Sequence, residues 1–345
     1  MKAAVVLALA LVGASAFVPS PRSSVAPSAP SARTIRYSAK ALVPATEEGT
    51  EQLLSRDRYI ASNRFEVRNG KDAKFEARWA NRKSRLATLE GFQWFALMRR
   101  VTLEGMPEPE DDPFNYVSFT SWTEKKHFNA WRKGEAFKEA HGGTSITAFM
   151  GAMISSLRVL KGAPRPAFYD GLLLSTTPPT DIPEVVDGWR AVAADGVSLL
   201  PAEAFVAQNR FCVLDGQEAA FEQRWASRES KLKDCDGFIG FSMLRRDGKA
   251  KGHGTVPLAE GEANYVSTTI WRDRAAFEGW RSSQAFGQAH GSGEAKKGPP
   301  SDSSEAGTSE TGPAAPTPRP AMPWARPPTP VFYEAKLVIS SETGL

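Results

Sequence analysis

The apolar positions of this chain change period along its length, and the changes mark its elements. Tyr59 to Val67 reads as a strand with Asn63 inside it. Phe75, Trp79, Leu86 and Leu89 then follow at near-helical spacing, which predicts a helix that starts at Gly70 and is closed by Gly91. Phe92 to Val101 reads as a strand, Thr102 to Pro113 as a polar, proline-containing loop, and Asn115 to Trp122 as another strand. Thr123 is a good N-cap for a second helix. Ile146 to Leu160 is apolar with partly helical spacing, and Phe168 to Leu174 forms the last predicted strand.

The same order then recurs. Phe221-Glu222 and Arg224-Trp225 answer Phe75-Glu76 and Arg78-Trp79; Gly237-Phe238 answers Gly91-Phe92; Arg245-Arg246 answers Arg99-Arg100. Asn264-Tyr265-Val266-Ser267 answers Asn115-Tyr116-Val117-Ser118, and Phe332-Tyr333 answers Phe168-Tyr169. Ordered matches of this kind are an internal repeat. The units span 58–174 and 204–340, joined by a proline-marked linker over 175–203 with one short helix predicted around Val185 to Ala194. The second unit contains a stretch, 291–330, rich in Gly, Ser, Pro and Glu and too poor in aliphatics to order itself. Each unit reads β-α-β-β-α-β, the ferredoxin-like pattern, in an α+β class. Two helices cover one face of such a sheet. Two units in one chain can bury the other face against each other, which predicts a pseudo-twofold barrel made by tandem repeats.

Charge refines this picture. The 345 residues carry a net +4, yet residues 1–46 hold Lys2, Arg22, Arg33, Arg36 and Lys40 and no acid, which leaves −1 for residues 47–345. The basic balance belongs to a leader and gives no nucleic-acid-binding surface. Within that leader, Lys2, the apolar run Ala3 to Val12 and the small residues to Ala16 read as a signal peptide over 1–16. The acid-free Ser/Pro/Ala/Arg stretch over 17–46, opened by Phe17, reads as a transit segment, so the pair resembles the bipartite presequence of algae with complex plastids. A secretory signal followed by a linker, leading to the endomembrane lumen or outside the cell, is the alternative. No later run is apolar enough to span a bilayer. Cys212 and Cys235 lie in one repeat without counterparts, which suits neither a disulfide framework nor a zinc site.

The candidate chemistry is a spaced trio present twice: Asn63, Trp131 and His141, then Asn209, Trp280 and His290. The asparagines are offset by 146 residues, the Trp and His positions by 149. Neutral imidazole is a good iron ligand, while a single histidine at a helix C-terminus is also favoured there by the dipole. A tryptophan on a helix face fills core as readily as it meets a ligand. Ten residues of unbroken helix would separate Trp131 from His141 by ~15 Å. Both can face one flat ligand only if the helix breaks, and Gly134 and Ser282-Ser283 sit where a break is needed. Asparagine is a poor strand residue, so Asn63 and Asn209 call for a backbone partner or a ligand. Arg64, Arg210 and the Arg99-Arg100 and Arg245-Arg246 pairs read as solvated strand edge or as contacts to an anionic ligand. His127 and His253 have no repeat partner and read as surface residues.

Ser62-Asn63-Arg64-Phe65, Phe128-Asn129-Ala130-Trp131 and Ala136-Phe137-Lys138-Glu139-Ala140-His141 resemble the Isd-type haem-degrading monooxygenases of the antibiotic biosynthesis monooxygenase superfamily, over 58–174 and 204–340. The resemblance implies the dimeric α+β barrel fold, with haem as cofactor and substrate at once. It places axial iron ligation on His141 and His290, distortion of the porphyrin on Trp131 and Trp280, and hydrogen bonding on the oxygen side on Asn63 and Asn209. Arg64 and Arg210 would meet the haem propionates. It also implies an external electron donor, since no Gly-rich dinucleotide fingerprint is present; in a plastid, ferredoxin would serve. Three functions stay open at this point: oxidative opening of haem with release of iron, haem carriage without catalysis, and metal-free oxygenation of an aromatic or quinol substrate.

Overall fold

A computed structural model describes residues 53–140, 156–177, 188–283 and 322–341, apart from residues 83, 107, 108, 110, 111, 191, 193, 229, 248–257, 259 and 260. In the first repeat, β1 is Arg58–Phe65, α1 Asp72–Ala80, β2 Phe92–Val101, β3 Tyr116–Trp122, α2 Lys125–Lys133, α3 Glu135–Ala140 and β4 Arg165–Thr176. The second repeat gives β5 Ala204–Phe211, α4 Glu218–Ala226, β6 Phe238–Arg246, β7 Tyr265–Trp271, α5 Arg274–Arg281 and β8 Thr329–Ser340. The strands close into a barrel in the order β1-β3-β2-β8-β5-β7-β6-β4. Every neighbouring pair is antiparallel. Each repeat contributes one four-stranded ferredoxin-like sheet, and the seams β2–β8 and β4–β6 join the sheets. This is the dimeric α+β barrel built within one chain.

Alternation along the strands sorts side chains into two layers. Ile60, Trp94, Ala96, Met98, Val117 and Phe119 of the first repeat meet Val206, Leu244, Val266 and Tyr333 of the second inside the barrel. The odd positions of β1, namely Tyr59, Ala61 and Phe65, face outward into an aromatic cluster with Phe75, Trp79 and Phe128 beneath the helices. Phe205 and Ala207 of β5 do the same with Phe277 and Trp271. Because neighbours alternate in direction, β1, β2, β5 and β6 all begin at the same end of the barrel, and the pseudo-twofold runs along its axis.

Several expectations need correction. The predicted helix from Gly70 to Gly91 stops at Ala80, and Leu86–Thr88 is a separate 3₁₀ turn. The apolar spacing persists across the break because a 3₁₀ turn also brings every third residue to one face. Helix α2 is capped at Glu124 rather than Thr123, whose hydroxyl is instead 2.7 Å from Nδ1 of His127. The linker residues described between Gly188 and Ala194 are not helical. The stretch expected to be disordered reaches the described residues at Met322. From there it is ordered: Trp324 bridges to Val213 and packs on Phe211, while Thr329 and Pro330 open β8. No helix among the described residues is long and apolar enough to cross a membrane.

Candidate functional site

Asn63 lies at an odd position of β1, so its side chain leaves the sheet on the same side as Tyr59, Ala61 and Phe65. Its strand neighbours are Ser118 and Pro166; those of Asn209 on β5 are Ser267 and Pro330. The two prolines lack the amide hydrogen that a ladder residue can donate, while the pairing register runs unbroken past each asparagine. No hydrogen bond among the described residues engages the carboxamide of Asn63 or Asn209.

Trp131 sits on the same side of the sheet. Its ring stacks on Trp122 at 5.4 Å and 30°, meets Phe137 edge-on at 5.0 Å, and lies 5.9 Å from Phe128. Trp280 repeats this on Trp271 at 5.2 Å and Phe277 at 5.9 Å. The indole Nε1 of Trp131 is buried with no hydrogen-bond partner. Helix α2 packs over the Tyr59 end of β1: Lys125 Nζ lies 5.3 Å from the Tyr59 ring centre and the Phe128 ring 5.5 Å from it, and Trp122, on which Trp131 stacks, is the strand partner of Tyr59.

The helix breaks where the spacing requires it. Gly134 adopts φ −84° and ψ 172°, an extended conformation, between α2 and α3. In the second repeat α5 ends at Arg281, with Ser282 as its C-cap. His141, His290 and His253 lie outside the described residues.

Arg64 and Arg210 do not face this layer, which corrects their expected contact with propionates. Each follows an outward asparagine by one residue and therefore points into the barrel. There Arg64 pairs with Glu262 at 2.5 Å, and Arg210 pairs with Asp112 at 2.5 Å while donating to the Tyr333 hydroxyl at 2.8 Å. Both ion pairs cross between repeats. The other arginine pairs are not solvated edges either. Arg99 binds Glu334 at 2.7 Å, Arg245 binds Glu222 at 2.9 Å and Asp170 at 3.2 Å, Arg100 lies 3.8 Å from Asp112, and Arg246 reaches the Tyr169 hydroxyl. His127 is not a surface residue: besides Thr123, its Nε2 lies 3.4 Å from Glu90.

Sequence reasoning missed how each repeat completes the other's outer face. Asp247, just past β6, lies 3.4 Å from the Tyr59 hydroxyl and 2.5 Å from Lys125. Burial, and then the charge of Asp247, push the Tyr59 hydroxyl well above its ordinary value, so it stays a proton donor. The equivalent corner of the second repeat is apolar: Phe205 replaces Tyr59, Val101 replaces Asp247, and Arg274 pairs with Glu278 on its own helix. Leu103 and Met106, from the loop after β2, pack there against the cluster of Phe205 and Trp280. A shallow cleft, with about 10 Å³ of enclosed space, lies between this loop and Pro330 to Phe332. The signal available was the pairing of unlike residues at matched repeat positions. Among the described residues, no group of three His, Cys, Asp or Glu side chains is placed to hold a metal ion.

The profile of the antibiotic biosynthesis monooxygenase family matches residues 58–143 and 204–292. A heme oxygenase (staphylobilin-producing) of Staphylococcus saprophyticus is 30% identical over 103 residues, covering 30% of this chain and 91% of the relative. Its counterpart in Staphylococcus haemolyticus is 27% identical over 103 residues, with the same coverage. Among solved structures, one described as a candidate monooxygenase from Fusobacterium nucleatum superposes with a TM-score of 0.48 at 9% identity, over 85% of this chain and 98% of that one. With its domain matched in two consecutive copies, the chain belongs to the antibiotic biosynthesis monooxygenase family.

Proposed function

We propose that this protein is a haem oxygenase of a plastid, which binds haem between each sheet and its helices, opens the ring and releases the iron. The observation that carries this reading is the duplicated placement of Asn63 with Trp131, and of Asn209 with Trp280, on the helix side of the sheet. It is reinforced by the likeness of the chain to curated heme oxygenases. The residues suit a flat ligand. The carboxamides lack a partner among the described residues, Trp131 Nε1 is buried and unsatisfied, and Gly134 breaks the helix between Trp131 and His141.

When bound, haem supplies the iron at which oxygen is activated and the ring that is opened. Imidazole of His141, and of His290 in the second copy, would hold the iron. Trp131 and Trp280 would press on the ring face, and Asn63 and Asn209 would donate a hydrogen bond on the oxygen side. Reducing equivalents come from an external donor, for which a plastid offers ferredoxin. Arg64 and Arg210 have no part in this scheme, since their charges are matched inside the barrel.

Titrating haem into the purified protein and following the Soret band tests the reading. We expect a shifted band, saturating at two haems per chain, that bleaches when ascorbate and oxygen are added. We expect His141→Ala and His290→Ala each to remove one haem, with the first copy the tighter site. A shifted but stable band would make the protein a carrier; no shift would make it a metal-free oxygenase. Loss of all binding from His290→Ala alone would contradict two sites.

A further inference from the structure

An eight-stranded ring leaves an interior that side chains fill or that holds one small ligand. Here the two repeats fill it unequally. Trp94 and Phe119 of the first repeat have Gly240 and Thr268 as their counterparts in the second. The missing bulk remains as a cavity of about 70 Å³, open to solvent and walled by Ile60, Trp94, Phe119, Leu174, Leu244 and Ile270 among others. It lies toward the end of the barrel at which β1, β2, β5 and β6 begin. Neither crowding nor backbone conformation demands the glycine: a Cβ built on Gly240 meets nothing nearer than 3.6 Å, and its φ is not among the positive ones.

Toward the opposite end, the lumen is crossed by the ion pairs Arg64–Glu262 and Arg210–Asp112. The cavity end carries a different cation. Arg58 lines the cavity at the start of β1, and its guanidinium donates to the Asp57 carbonyl at 3.2 Å. Among the described residues it makes no ion pair. A half-buried guanidinium beside apolar walls is half of a charge-assisted contact. Its planar fork matches the two oxygens of a carboxylate, and one cation balances one negative charge.

We propose that the barrel lumen binds a small apolar monocarboxylate, with its hydrocarbon part between the repeats and its carboxylate on Arg58. This site is distinct from the helix-side layer that holds Asn63 and Trp131, because the β-sheet separates them. The ligand is smaller than a tetrapyrrole, since eight strands enclose room for one compact molecule.

Calorimetric titration of the full chain with octanoate tests the proposal. One molecule is expected to bind per chain. Arg58→Gln is expected to weaken octanoate by about tenfold, the scale of one hydrogen-bonded charge contact, and 1-octanol is expected to bind the unaltered protein about tenfold more weakly for the same reason. Gly240→Trp, which restores the first repeat's residue, should abolish binding. If that variant does not fold, Thr268→Phe fills the same space from the neighbouring strand. Haem titration of Arg58→Gln should follow that of the unaltered protein, so loss of one ligand is read separately from loss of the other. The absence of octanoate binding at millimolar concentration would overturn the proposal. So would affinity unchanged in Arg58→Gln, or undiminished in whichever cavity-filling variant folds.

Discussion

Glu76 and Glu222 are 0% exposed, and a carboxylate so placed must have its oxygens satisfied. Each is, in matching ways. Glu76 accepts from the Tyr116 hydroxyl at 2.8 Å and from the Leu200 amide at 2.6 Å, with Arg99 at 3.7 Å. Glu222 accepts from the Tyr265 hydroxyl at 2.7 Å, the Leu54 amide at 2.6 Å and Arg245 at 2.9 Å. Leu200 leads into the second repeat and Leu54 into the first, so each glutamate latches the entry of the other repeat. Glu222→Ala should cost about 3–5 kcal/mol in chemical denaturation, because it leaves the Tyr265 hydroxyl and the Leu54 amide without an acceptor and takes from Arg245 one of its two carboxylates. Trp131 separates packing from chemistry. Its Nε1 has no partner, so Trp131→Phe loses no hydrogen bond and should cost only about 1 kcal/mol of stability. If the indole distorts the bound ring, the same variant should bind haem yet bleach it about tenfold more slowly with ascorbate; equal bleaching rates would leave Trp131 a core residue. At this scale the sequence reads Asn63 and Asn209 as strand residues and Trp131 and Trp280 as helix residues, and the structure has them on those elements. The sequence also carried the signal that excludes Arg64 and Arg210, since neighbours on a strand cannot face the same side.

Strands were legible from the sequence and helix ends were not. Phe92–Val101 is predicted and observed with the same bounds, because a run of apolar and aromatic residues between Gly91 and a polar loop leaves little choice. Helix α1 ends early for a reason outside its own sequence. The Ala87 amide donates to Gly188 in the linker at 3.0 Å, and this contact holds the chain off the helical path. The α2–α3 break was legible, because glycine is the weakest helix former after proline. Gly134 needs no positive φ, so alanine can occupy its extended conformation, although its Cβ would sit 3.3 Å from the Ala130 carbonyl. Gly134→Ala therefore favours a continuous helix by about 1 kcal/mol, which is about fivefold in the equilibrium between broken and unbroken forms. A loss of haem affinity of about that size, with far-UV ellipticity unchanged or slightly stronger, is the expected outcome in a Soret titration. An unchanged affinity would mean that the break does not serve the ligand.

At the scale of the whole molecule, the repeat announced two sheets and a shared core, and the class of fold followed from burial alone. The seams did not follow. That β2 meets β8 and β4 meets β6 depends on the register at which two curved sheets close, which no local pattern encodes. Nor does periodicity foretell that ion pairs bridge the repeats: Asp112 is a loop residue in sequence and an inward anchor in space. Burial alone would raise its pKa. The charge and hydrogen bond of Arg210, the Phe114 amide and Arg100 outweigh burial and hold it below the ordinary 3.8. A carboxylate with a depressed folded-state pKa contributes stability that is complete above its unfolded value and disappears as pH falls through the folded one. The urea midpoint of the unaltered protein should therefore fall between ~pH 5 and ~pH 3, with Glu334, also held low by Arg99 and Lys336 against its burial, adding to the slope. Asp112→Asn should lower stability at ~pH 5 by about 1.5–3 kcal/mol and flatten that slope, because the amide keeps the shape but has no proton to gain. A variant that retained the full slope would show that the acid sensitivity arises elsewhere, and the barrel would then be held at that end by its backbone ladders rather than by charge.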